Sequence, residues 1–86
     1  MFVSTKNLVK RLDNVIFYFQ TNKEMLEGKI DNPNEYGRDF IMEVMSDQLN
    51  TMHCLIDAIK SQSTDDRLIA RCEKKVQQVA KEFSEV

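Results

Sequence analysis

The stretch FIMEVMSDQLNTMHCLIDAIK, residues 40–60, decides the fold. Ile41, Met45, Gln48, Met52, Leu55 and Ile59 recur at alternating intervals of four and three, the spacing that puts side chains on one face of an α-helix. Phe40, Val44, Leu49 and Ile56 flank that seam on both sides. At about 100° per residue, the apolar arc is wider than the roughly 100° stripe one neighbouring helix covers. The helix therefore asks for two neighbours. Working back towards the N-terminus, Asn32-Pro33-Asn34-Glu35 is the clearest punctuation in the chain. Proline at a first helical position loses no hydrogen bond, Asn32 can cap, and Glu35 falls where a capping box places an acid. The spacing predicts a helix over 33–61, and Tyr36-Gly37 then puts a lone glycine inside it, read as a close helix–helix approach.

Before that link, Leu8, Leu12, Val15, Phe19 and Leu26 form a second stripe, with Asn22 at the skipped position and Val9 and Ile16 widening it. Ser4 or Thr5 can cap this helix, Val3 can staple against Leu8, and Gly28 is a natural stop, giving a helix over about 5–28. Thr21 and Glu24 offer a second capping box at which that helix could break. Val15 to Phe19 is strand-like in composition, but it keeps phase with the stripe on either side and is read as helix. Phe17 and Tyr18 then leave the inner face.

After residue 60, the polar run from Ser61 to Asp66 is a short link, with Ser63 and Asp66 resembling a capping box. Ile69, Cys72, Val76, Val79, Phe83 and Val86 follow at intervals of three and four, a narrow seam flanked by Leu68 and Ala80 and predicting a helix over 64–84. A short link makes consecutive helices antiparallel neighbours. The expected fold is all-α, a single domain over residues 1–86: a long antiparallel hairpin of the second and third helices, with the first packed on it.

With 86 residues, 42% hydrophobic and 30% charged, the chain suits a globular helical protein and not a disordered one. A chain this short buries only about 60–65% of the surface its unfolded form exposes, which favours packing against another copy or a partner. The net charge of −2 lacks the basic excess of a dedicated nucleic-acid domain. Two cysteines, Cys54 and Cys72, are too few for a secreted disulfide framework. The opening Met1 to Lys6 has no signal-peptide pattern, and no apolar run reaches membrane-spanning length. A soluble, cytoplasmic protein is expected, with no membrane partner.

Chemical motifs are sparse. His53, the sole histidine, adjoins Cys54, but successive helical residues diverge by about 100°, and Cys72 lies on an inner seam. Four closely spaced ligands, the pattern of a structural zinc site, are missing. No phosphate-binding glycine loop, nucleophile elbow or HExxH occurs. Asp65-Asp66 and the pair Asp39 and Glu43 are common on solvated helix faces. No enzyme, metal or cofactor is expected.

Two surface features remain. Arg67, Arg71, Lys74 and Lys81 lie opposite the third helix's seam, and residues 67–81 hold five basic side chains to one acidic, a local +4. Residues 31–57 hold six acidic to one basic, a local −5. The basic ridge suits a nucleic acid, a nucleotide-type anion or an acidic protein surface; the bland alternative is a solvated face that complements the acidic second helix of a neighbouring copy. It has no interleaved aromatics for stacking bases. The outward residues Phe17, Tyr18, Phe40 and Leu49 are candidate partner-binding anchors. They point to a small non-enzymatic interaction protein, an adaptor, regulator or inhibitor, that binds another protein and associates with itself, most simply as a two-fold dimer.

Overall fold

A computed structural model describes residues 3–86. Its three helices are α1 (Thr5–Leu26), α2 (Arg38–Gln62) and α3 (Asp66–Ser84), with no strand among the described residues. None is long and apolar enough to cross a membrane.

Side-chain caps set the ends. Ser4 Oγ accepts the Asn7 N–H at 3.2 Å, opening α1, and half-buried Val3 packs on the core that includes Leu8. At the other end Gly28 adopts φ +73°, its N–H donating to the Met25 carbonyl at 3.1 Å, while Lys29 N–H donates to the Glu24 carbonyl at 2.9 Å. These bonds satisfy the last carbonyls of α1. The possible break at Thr21 does not occur. Thr21 Oγ1 instead donates back to the Phe17 carbonyl at 3.1 Å, so the hydroxyl serves the preceding turn and the helix runs through.

The start of α2 corrects the sequence reading by five residues, Arg38 instead of Pro33. Asn32 caps a turn, not a helix. Its carbonyl accepts the Glu35 N–H at 3.0 Å, and its side chain both accepts from Tyr36 N–H at 3.1 Å and donates to the Tyr36 carbonyl at 3.0 Å. Pro33 takes the turn position that suits its fixed φ. Glu35 sits at φ 54°, a left-handed conformation through which an α-helix cannot continue. Gly37 consequently lies outside the helix as its N-cap. A Cβ added there would meet nothing within 4 Å, so the expected close helix approach is also absent.

The α3 cap is likewise displaced. Asp65 Oδ1 accepts the Leu68 N–H at 3.1 Å, while Ser63 Oγ accepts from Asp65 N–H at 3.1 Å. Ser63 organises the link, and Asp65 caps the helix.

The predicted seams converge on one core. Leu8, Leu12 and Phe19 of α1 meet Ile41, Met45, Met52, Ile56 and Ile59 of α2 and Cys72, Val76 and Val79 of α3. Ile56 is buried where the sequence favoured Leu55, which is half-buried. The most extensive packing joins α1 to α2; the contact of α2 with α3 is smaller, and α1 barely meets α3. The fold is thus centred on α1 and α2, where the sequence predicts a centre on the second and third helices. The fully buried residues of α3 are Cys72, Val76 and Val79, with Leu68, Ile69 and Phe83 half-buried beside them. Phe83 sits edge-on to Phe19 with centroids 5.8 Å apart. The Cα envelope of 42 × 27 × 17 Å is correspondingly flat, and the surface opens between α1 and α3.

Candidate functional site

Three of the four expected anchors stand in solvent: Phe17 is 63% exposed, Tyr18 60% and Phe40 52%. Helical phase explains why. Residues 17 and 18 fall between the turns of a stripe whose inner members are Leu12, Val15 and Phe19. The fourth differs. Leu49 is half-buried and packs on the core from the edge of α2, so it does not point outward.

The exposed aromatics make two separate pairs. Phe17 and Tyr18 meet edge to face at 5.6 Å, and Tyr36 stacks on Phe40 at 5.0 Å with its ring tilted 31°. Tyr36 is itself 45% exposed, held at the mouth of α2 by the Asn32 turn. Ile30, also exposed, lies on the link and had no periodic signal to mark it.

The basic ridge is also in solvent. Arg67, Arg71, Lys74 and Lys81 are exposed, and among the described residues none has a carboxylate within ion-pair distance. Their neighbour Lys75 is drawn away to Asp13 of α1 at 3.0 Å. That pair is half exposed and contributes at most about 1 kcal/mol. Its structural effect is to join α1 to α3 where few other contacts do.

Next to the ridge lies a groove of about 410 Å³ between α1 and α3. Ile16 and Val79 contribute its apolar lining, and Arg71, Lys74, Lys75, Gln20 and Gln78 its polar lining. Periodicity placed Ile16 and Val79 on apolar faces and Arg71 and Lys74 on a polar one. It could not reveal that the helices diverge enough to bring them together across a furrow.

Cys72 is buried on the α3 seam and Cys54 exposed on α2, as their phases required. Burial raises the Cys72 thiol pKa; Lys75 opposes this, Asp13 adds to it, and Arg71 opposes it. His53 lies by a shallow notch with Ile56, Glu73 and Val76. Among the described residues, no three His, Cys, Asp or Glu side chains are grouped to hold a metal ion.

No protein-family model matches the chain, and no curated protein or solved structure matches it either.

Proposed function

We propose that this is a small non-enzymatic interaction protein, an adaptor, regulator or inhibitor, that acts in the cytoplasm by binding protein surfaces, a second copy of itself among them. One observation carries the reading: Phe17, Tyr18 and Phe40 remain more than half exposed after the three helices have packed. Large aromatics in water forfeit the stabilisation of burial, and each contributes about 1–3 kcal/mol when an interface covers it. The short Ser63–Asp65 link between α2 and α3 supports an antiparallel hairpin, to which further helices could add as an oligomeric bundle. A two-fold dimer is the simplest such assembly.

Sedimentation equilibrium tests the reading, with the expected result a mass that rises above the protomer with concentration. Phe17→Ser, Tyr18→Ser and Phe40→Ser, checked for helicity by circular dichroism, should reduce that rise. A strict monomer at high concentration that also recovers no protein partner would overturn it.

The unpaired ridge favours a second reading, binding of nucleic acid or a nucleotide-type anion through Arg67, Arg71, Lys74 and Lys81. Phosphate binding of this kind weakens steeply with salt because counterions are released. Arg67→Glu and Lys81→Glu should abolish it, and an affinity unchanged by either would reject it.

A further inference from the structure

The groove between α1 and α3 has a chemical counterpart elsewhere on the same chain. Its lining combines apolar Ile16 and Val79 with the cations Arg71 and Lys74. On the outer side of α2, Phe40, Glu43 and Asp47 are exposed at intervals of three and four, and Tyr36 of the preceding turn stacks on Phe40, so aromatic and acidic side chains share one stripe. Neither carboxylate is ion-paired among the described residues, and neither cation is. We infer that the α1–α3 groove is the seat for the Tyr36–Asp47 stripe of a second copy of this chain.

The spacing agrees along the helix axes. At 1.5 Å per residue, Phe40 to Asp47 covers about 10.5 Å, and Val79 to Arg71 covers about 12 Å. With the incoming α2 antiparallel to α3, Phe40 lies over Ile16 and Val79, Glu43 reaches Lys74, and Asp47 reaches Arg71. Tyr36 extends the apolar contact through its ring stacking on Phe40. Lys75 also lines the groove, its ammonium paired with Asp13 at 3.0 Å.

Charge selects the occupant. The whole chain is acidic at −2, while its residues 67–81 are locally +4 and its residues 31–57 locally −5. Two copies repel in most orientations and attract where these two stretches meet. A chain cannot fill its own groove in this way, since the stripe lies on the side of α2 turned away from the packed helices. Seat and stripe are different surfaces, and each copy offers one of each.

This rests on the self-association proposed above and names the two surfaces that meet. The test is sedimentation velocity on the full chain over a concentration series, at low and at physiological salt. Arg71→Glu with Lys74→Glu spoils the seat, and Glu43→Lys with Asp47→Lys spoils the stripe; all four positions are exposed, and circular dichroism checks folding. Each double variant alone should associate at least about tenfold more weakly than the parent chain. Mixing the two should restore association, because the unmodified stripe of one meets the unmodified seat of the other. Arg71→Gln with Lys74→Gln serves as the milder seat variant if charge reversal unfolds the chain.

Association that persists in both double variants, or a mixture that stays as weak as its components, overturns the seat while leaving self-association through Phe17 and Tyr18 standing. A parent chain that is monomeric throughout removes both. Titration of a fluorescent duplex oligonucleotide is the control arm. Binding that is lost in Arg71→Glu with Lys74→Glu, while self-association is unchanged, assigns the cations to nucleic acid and overturns the inference.

Discussion

Asn22 of α1 donates a hydrogen bond of 3.1 Å from its side-chain nitrogen to Oε1 of Gln48 on α2. Each is the polar member of an otherwise apolar helical stripe, and each is half-buried. Partnered, the two amides offset one another's loss of water; with one truncated, the other is left short of a bond. Asn22→Ala or Gln48→Ala should each cost about 1 kcal/mol, with a coupling between them in a double-mutant cycle read from urea denaturation. Replacing both with Leu should recover that loss or exceed it, because an apolar pair leaves no amide to satisfy. Additive single effects would mean that the bond contributes nothing to stability.

Phe19 and Phe17 are two residues apart and should behave oppositely. Phe19 is fully buried and meets Phe83 edge-on at 5.8 Å, one of the few contacts between α1 and α3. Phe19→Ala should cost about 3–5 kcal/mol, enough to unfold much of a small domain whose total is about 5–15 kcal/mol. Phe17→Ala should change folding stability by no more than about 0.5 kcal/mol, because its ring is mostly in water, and should weaken association instead. Thermal melts at low protein concentration, where association is minimal, separate the two effects.

The same contrast explains how much could be read from the sequence. Period alone put Leu8, Leu12 and Phe19 inside and Phe17 and Tyr18 outside, because a helix fixes the phase of every side chain once one face is known. The ends were less legible. Asn32 has the same local alternatives at a helix cap and in a turn, and only the left-handed Glu35 decides between them. The candidate site was half legible: the cations of α3 are visible as a pattern, but the groove depends on how far α1 and α3 diverge. That divergence is a relation between helices, which no single helix encodes. Leu49 was misread because a flanking position on a broad apolar face can tuck against the core as readily as leave it.

Gly28 and Gly37 bound the α1–α2 link and should respond differently to substitution. A Cβ at either would touch nothing within 4 Å, so only the backbone discriminates. Gly28 holds φ +73°, and Gly28→Ala should cost about 1 kcal/mol through the left-handed conformation alone. Gly37 has φ −68° and caps α2 without a side-chain bond. Gly37→Asp should stabilise by a few tenths of a kcal/mol by supplying the missing acceptor. Urea midpoints of the two variants against the parent chain check both signs.

Cys72 gives stability a dependence on alkaline pH. Burial raises its thiol pKa, so the folded protein keeps the proton at pH values where the unfolded chain has released it. Unfolding then releases a proton, and the stabilisation is complete below the ordinary thiol pKa of about 8.5 and declines as pH rises from there towards the folded value. Lys75 and Arg71 moderate the shift and Asp13 adds to it. Denaturant unfolding between about pH 8 and about pH 10 should show a decline attributable to this group of at most about 1.4 kcal/mol per pH unit. Cys72→Ala should lower the baseline through its lost packing but flatten that part of the slope. Labelling with a thiol reagent gives an independent reading: Cys54 should react at once and Cys72 only as fast as the helices open. Equal slopes in the parent chain and Cys72→Ala, or equal labelling of the two thiols in the folded state, would show that Cys72 is reached by water.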